Sequence, residues 1–193
     1  MKEIEVKLRV ADRPLILRRI AELGWRACGK RELERNYVYD KPDGALRAAG
    51  CLLRVRDSGG ICLLTLKLPS DDAGPHKVKE EFEIEASDCA ALQRILEGLG
   101  YRVAWRYEKY RTTFERKDAA GEIVLDETPI GDLLELEGDP AWIDRTAVEL
   151  GFSPRDYITA TYGALFEEHR ARNPGVGTDM VFSWAGQSDS LES

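Results

Sequence analysis

Cysteine, histidine and methionine are scarce, with four, two and two residues in a chain of 193. Cys28, Cys51, Cys62 and Cys89 form no close pair and no CxxC occurs. Two histidines do not complete a thiolate zinc site, so that class is excluded. No apolar run approaches the ~18 residues that cross a bilayer as a helix. The opening stretch MKEIEVKLRV carries charges where a signal peptide has its apolar segment. These absences predict a cytoplasmic protein without membrane contact, its cysteines reduced and serving as small apolar packers. An excess of positive charge is also missing. Lys and Arg number 28 against 35 Asp and Glu, a net charge of −7, which argues against coating nucleic acid. What remains is an ordinary apolar fraction of 43%, enough for a real core, and a high charged fraction of 33%.

The charges are ordered. From Lys2 to Val10, Glu3, Glu5, Lys7 and Arg9 alternate with Ile4, Val6, Leu8 and Val10, the period of a strand. Asp12 and Pro14 then open a helix with Ile16, Ile20 and Leu23 on one face, stopped by Gly24. Strands are predicted at about 30–41, 50–57 and 60–68, the last two joined by a turn at Asp57-Ser58-Gly59-Gly60. After a polar loop at 69–76 the pattern restarts. Glu81, Glu83 and Glu85 alternate with Phe82 and Ile84. A helix capped at Ser87-Asp88 carries Leu92, Leu96 and Leu99 and ends at Gly100. Strands follow at about 104–116, 121–126 and 132–138.

A shift of 76 positions superposes the halves without gaps. It aligns Glu5 with Glu81, Asp12 with Asp88, Ile20 with Leu96, Gly24 with Gly100 and Trp25 with Tyr101. A shift of 70 aligns Leu64 and Leu66 with Leu134 and Leu136. The chain therefore reads as one domain over 1–172. Its halves, about 1–68 and 77–138, are each strand–helix–strand–strand–strand, and two helices follow at about 140–171, the second opened by Ser153-Pro154. Residues 173–193 form a flexible or locally docked tail. Eight strands suit a closed antiparallel α+β barrel wrapped by helices.

Within each strand the charges recur at i, i+2: Glu3/Glu5/Lys7, Arg54/Arg56, Glu81/Glu83, Lys109/Arg111 and Glu135/Glu137, with Lys67 and Asp126 near strand ends. Alternation sends each set to one side. In an open sheet that side meets water, and in a helix-wrapped barrel it lines the lumen. The amphipathic helices need an apolar partner surface, which favours the lumen. Clustered carboxylates there invite a hard divalent cation, and clustered Arg and Lys invite phosphate oxygens. Both together point to a metal-bound polyphosphate.

Glu3-Ile4-Glu5-Val6-Lys7 is an ExExK motif that resembles the signature of the CYTH superfamily, the triphosphate tunnel metalloenzymes. Further segments fit in order: Asn36-Tyr37-Val38-Tyr39-Asp40, Leu53-Arg54-Val55-Arg56, Leu64-Thr65-Leu66-Lys67, Lys109-Tyr110-Arg111, Val124-Leu125-Asp126 and Leu134-Glu135-Leu136-Glu137. The resemblance covers about 1–166. It implies a tunnel in which Lys7, Arg54, Arg56, Lys67, Lys109 and Arg111 bind a triphosphate and Glu3, Glu5, Asp126, Glu135 and Glu137 bind Mg²⁺ or Mn²⁺. Lys67 and Glu5 would be central to catalysis, and Glu81 and Glu83 would support the metal site or a second metal. The implied partner is a small triphosphate: inorganic triphosphate, ATP or another nucleoside triphosphate.

Cys51-Leu52-Leu53 ahead of the arginine pair lacks the aromatic residue of thiamine-triphosphate specialists in that family. The leading expectation is hydrolysis of triphosphates, inorganic triphosphate favoured. A class IV-type adenylyl cyclase making cyclic AMP and pyrophosphate is the alternative, and a non-catalytic triphosphate-binding module a third. Either a monomer or a homodimer is compatible. His76 and His169 are expected to face solvent, Trp25, Trp105 and Trp142 to pack, and Trp184 to dock on the barrel mouth. Tyr37 and Tyr39, on one face with Arg35, fit either the tunnel or the core.

Overall fold

The computed structural model describes residues 2–70, 74–117 and 119–183. The first alternating segment is β1 (Lys2–Val10), followed by helix α1 (Arg13–Glu22), β2 (Arg26–Asp40), a short turn α2 (Ala45–Ala48), β3 (Leu52–Ser58) and β4 (Ile61–Pro69). The second half repeats the series as β5 (Lys77–Ala86), α3 (Cys89–Gly98), β6 (Arg102–Glu115), β7 (Gly121–Thr128) and β8 (Gly131–Gly138). Helices α4 (Pro140–Glu149) and α5 (Tyr162–Arg172) complete it. The strands close into an antiparallel barrel in the order β1-β5-β4-β3-β2-β6-β7-β8. Exchanging the halves maps this ring onto itself, so the duplication is also a pseudo-two-fold axis.

The repeat reaches the hydrogen bonds. Asp12 accepts from the Leu15 amide and Asp88 from the Ala91 amide, each at 2.9 Å. At the other ends Gly24 and Gly100 take positive φ, 81° and 86°. The following amides of Trp25 and Tyr101 bond back to the Ile20 and Leu96 carbonyls. A left-handed residue closes a helix in this way, and glycine adopts it without a Cβ clash.

The apolar faces of the strands point outward to the helices. Val6, Leu8, Leu134 and Leu136 are sealed beneath α1 and α4 with Ile16, Ile20, Trp142 and Ile143. Tyr39, Leu53, Val55 and Leu96 form a second cluster beneath α3, with Tyr37 against it, so both tyrosines join the outer core and not the charged face. The symmetry breaks at α4, which has no counterpart in the first half. Val6 and Leu8 are fully buried, whereas their equivalents Phe82 and Ile84 remain 50% and 62% exposed.

Three expectations are corrected. Ser153-Pro154 opens only a single 3-10 turn (Pro154–Asp156) before the chain extends. Ile158 then exchanges backbone hydrogen bonds with Lys7 at 3.0 and 2.9 Å, filling the ladder where β1 has parted from β5. Cys62 and Cys89 are not free thiols but form a disulfide. Docking of the α3 N-terminus on β4 brings their Cα atoms to 5.5 Å, within bonding reach. His76 is not solvent-facing, because its Nε2 lies 2.9 Å from Asp144 on α4, beside Tyr157. In the C-terminal segment Met180 is fully buried and pairs with β6 at Tyr107. Trp184 lies outside the described residues.

Candidate active site

The barrel encloses a cavity of about 1380 Å³. Alternation along each strand decides what lines it, and every charged pair singled out in the sequence faces inward. Glu3, Glu5 and Lys7 come from β1, Arg54 and Arg56 from β3, Lys67 from β4, and Glu81 and Glu83 from β5. Lys109 and Arg111 come from β6, and Glu135 and Glu137 from β8. Asp126 of β7 is wholly buried behind Lys109 and Arg111.

The charges divide into two linked groups. On the β1–β8–β5 side, Glu5 stands directly across the ladder from Glu137, and Lys7 from Glu135. Lys7 Nζ reaches Glu5 at 2.7 Å and Glu135 at 3.1 Å, Lys77 also bonds Glu5, and Lys67 bridges Glu3 and Glu81, the latter at 3.1 Å. Burial works against charge on Glu5, but Lys7, Lys77 and Lys67 outweigh it and hold the carboxyl well below the usual range. Glu3 rises through burial and the nearby Glu5 charge. Glu137 has no lysine of its own among the described residues, and burial, Glu3 and Glu5 push it up to about 7.

On the other side, Arg56 meets Glu34 at 3.3 Å and Glu83 at 3.2 Å, and Glu83 accepts from the Thr65 hydroxyl at 2.6 Å. Arg54 donates to the Tyr107 hydroxyl at 3.1 Å and to Thr65 at 3.2 Å, while its buried Nε has no partner among the described residues. Asp126 is saturated. It accepts from Lys109 at 2.7 Å, from Arg111 Nε at 2.8 Å and Nη2 at 2.6 Å, and from the Tyr162 hydroxyl at 2.6 Å. The carboxylates expected to act together are thus separated: Glu3, Glu5 and Glu137 share one wall, Glu135 lies between Lys7 and Arg111, and Asp126 is enclosed by cations.

Four site residues escaped the sequence reading. Glu34 sits among Arg56, Lys109 and Arg111, whose charges overcome its burial and lower it to about 2. Lys77 extends the β5 charge alternation two positions before Lys79, a signal present in the sequence. Tyr107 alternates with Lys109 and Arg111 on β6. Tyr162 arrives from α5 and had no such signal.

Among the described residues, no three carboxylate, histidine or cysteine side chains are gathered into a ready-made metal cage. The donor chemistry of Glu3, Glu5 and Glu137 nevertheless suits a hard cation, since it is all carboxylate oxygen on adjacent strands. Glu137 holds a proton to about pH 7 because of its burial and the nearby Glu3 and Glu5 charges, and a divalent ion would replace that proton.

A closed eight-stranded antiparallel barrel whose lumen combines paired basic and paired acidic side chains is a tunnel fold. The model of the CYTH domain matches residues 1–162, and the chain belongs to the CYTH family, whose enzymes are triphosphatases or cyclases that use divalent metals. A Methanocaldococcus jannaschii protein provisionally named an adenylate cyclase is 27% identical over 137 residues, 71% of this chain and 77% of that one. A Vibrio parahaemolyticus structure with the same provisional name superposes with a TM-score of 0.74 at 21% identity, covering 86% and 97% of the two chains. A Hippeastrum protein, first named an adenylyl cyclase and described as having a dominant triphosphatase activity, matches with a TM-score of 0.64 at 19% identity over 86% and 96%. At these identities the two structures attest to the fold.

Proposed function

We propose that the lumen is the active site of a divalent-metal-dependent triphosphatase, with inorganic triphosphate the favoured substrate. The observation that carries this reading is the facing arrangement of the walls. In the ring, β3 with Arg54 and Arg56 stands four strands from β8 with Glu137, so a phosphate chain between them meets cations on one side and carboxylates on the other.

Arg54, whose Nε is unpartnered among the described residues, and Arg56 offer guanidinium forks to phosphate oxygens. Lys7, Lys109 and Arg111 add charge from the neighbouring walls. Glu3, Glu5 and Glu137 would hold Mg²⁺ or Mn²⁺, with Glu135 beside them, and the bound ion supplies neutralisation of the phosphate charge. Lys67, between Glu3 and Glu81, is placed to stabilise charge on the leaving group as water attacks the terminal phosphorus and the bridging P–O bond breaks, yielding phosphate and pyrophosphate. Asp126, saturated by its donors, and Glu83, which meets Arg56 and the Thr65 hydroxyl through one oxygen, orient the phosphate-binding side chains.

The second reading, formation of cyclic AMP and pyrophosphate from ATP, is supported by the name of the Methanocaldococcus jannaschii relative. Phosphate release from inorganic triphosphate, ATP and other nucleoside triphosphates in Mg²⁺ and in Mn²⁺, with cyclic AMP measured in parallel, tests both. Phosphate from inorganic triphosphate is the expected result. Cyclic AMP without phosphate release selects the cyclase.

A further inference from the structure

Tyr162 lies outside both repeats, on α5, yet its side chain enters the lumen and is buried there. Its hydroxyl donates to Asp126 Oδ2, the same oxygen that accepts from Lys109 and Arg111. The ring centroid is 5.0 Å from Lys109 Nζ and 5.3 Å from Lys7 Nζ, cation–π range for both. The ring also stacks at 5.7 Å against Tyr107, whose hydroxyl accepts from Arg54. One side chain therefore touches two lumen lysines directly and two arginines through a single intermediary each.

The physical effect is specific. A lysine stem has several free torsions, and an ammonium drawn fully onto a carboxylate is lost to phosphate. The Tyr162 hydroxyl occupies part of Asp126 Oδ2, easing its hold on Lys109. The ring face attracts both ammoniums without neutralising them. Burial and the Asp126 and Glu135 charges keep the phenol far above its ordinary pKa, so it stays a donor throughout the accessible range. We propose that Tyr162 is a positioning residue of the triphosphate site, aiming Lys7 and Lys109 at the phosphates, so that the C-terminal helix sets part of the affinity. This inference rests on the triphosphate reading given above.

The test is calorimetric titration of the full chain with inorganic triphosphate without metal, together with steady-state kinetics in Mn²⁺. Tyr162→Phe keeps the ring and loses the hydroxyl, and affinity should fall about fivefold. Tyr162→Leu loses both, and affinity should fall on the order of twentyfold. In each variant KM should rise more than kcat falls. Phe166→Leu is the control: it removes a ring of the same helix that packs on Trp105. It should lower thermal stability and leave triphosphate affinity and KM unchanged. Tyr162 variants with wild-type affinity, or an equal loss of affinity in Phe166→Leu, would overturn the inference. Wild-type protein that binds triphosphate without hydrolysing it would overturn the hydrolase and leave the positioning role standing. Wild-type protein that binds no triphosphate would overturn both.

Discussion

Glu5 and Glu137 are direct partners across the β1–β8 ladder, two carboxylates on one face of adjacent strands. Like charges so placed repel. Lys7 and Lys77 relieve Glu5, whereas Glu137, buried and beside the Glu3 and Glu5 charges, rises to about 7. Below about pH 7 Glu137 is protonated, so affinity for Mn²⁺ should fall as pH drops through that value, and binding near neutrality should release a proton. In metal-free protein the sign is opposite for stability. The unfolded chain gives up this proton near its ordinary value of 4.5, so stability declines as pH climbs from there to about 7. Mn²⁺ calorimetry in buffers of different ionisation enthalpy measures the proton. Glu137→Gln should remove the pH dependence centred near 7 and leave only that of the other carboxylates, and an unchanged profile would remove Glu137 from the cation site.

Glu34 titrates the other way. Lowered from 4.5 to about 2 by the surrounding cations, it contributes stability that is complete above pH 4.5 and disappears as pH falls through about 2. The linkage is worth on the order of 3 kcal/mol. Glu34→Gln should lose roughly that much at neutral pH and unfold with a shallower acid dependence. Urea melts at a series of pH values check both.

Arg54 is buried with its guanidinium held by Tyr107 and Thr65, ready to meet an anion. Arg54→Ala should weaken inorganic triphosphate binding by about tenfold or more. Arg54→Lys should recover only part of it, because a point charge lacks the fork. Competition binding against triphosphate reads the difference directly.

Glu5→Gln keeps the side-chain volume and removes one negative charge from the proposed cation wall. Turnover should be lost, with triphosphate affinity retained because the basic residues are intact. Phosphate-release kinetics beside a binding isotherm separate the two quantities. Wild-type turnover in this variant would contradict the assignment.

The disulfide closes a span of 27 residues, which by chain entropy stabilises the fold by about 3.5 kcal/mol. Reduction, or Cys62→Ala, should lower the melting temperature by several degrees without altering triphosphate affinity, since Cys62 lies on the outer face of β4 beneath α3. Scanning calorimetry with and without reductant measures it.

Legibility in the sequence followed the chemistry of alternation. Lys2–Val10 separates charge from apolar residues at every step, so β1, its inward face and the repeat were all readable. The run KRELER at 30–35 is charged on both faces. Nothing in it distinguishes Glu34, which enters the lumen, from Arg35, which faces outward and meets Glu108 at 3.6 Å. Tyr162 was unreadable because its place depends on how α5 docks, and the Cys62–Cys89 bond because it depends on how α3 docks. The helix predicted from Ser153 failed for a related reason. Lys7 has no β5 partner at its position, and the extended chain at Ile158 satisfies it better than a helix would. Asp40, read within a motif, serves the local backbone instead. Its carboxylate accepts from the Lys41, Leu46 and Arg47 amides and fixes the turn before β3.

The bond between Cys62 and Cys89 also encircles the junction of the two halves, from the start of β4 through β5. A protease cutting anywhere between those cysteines leaves two fragments still tethered. Such a nicked molecule migrates as one band on a non-reducing gel and as two after thiol treatment, so intact size without reductant says nothing about continuity of the backbone across that junction.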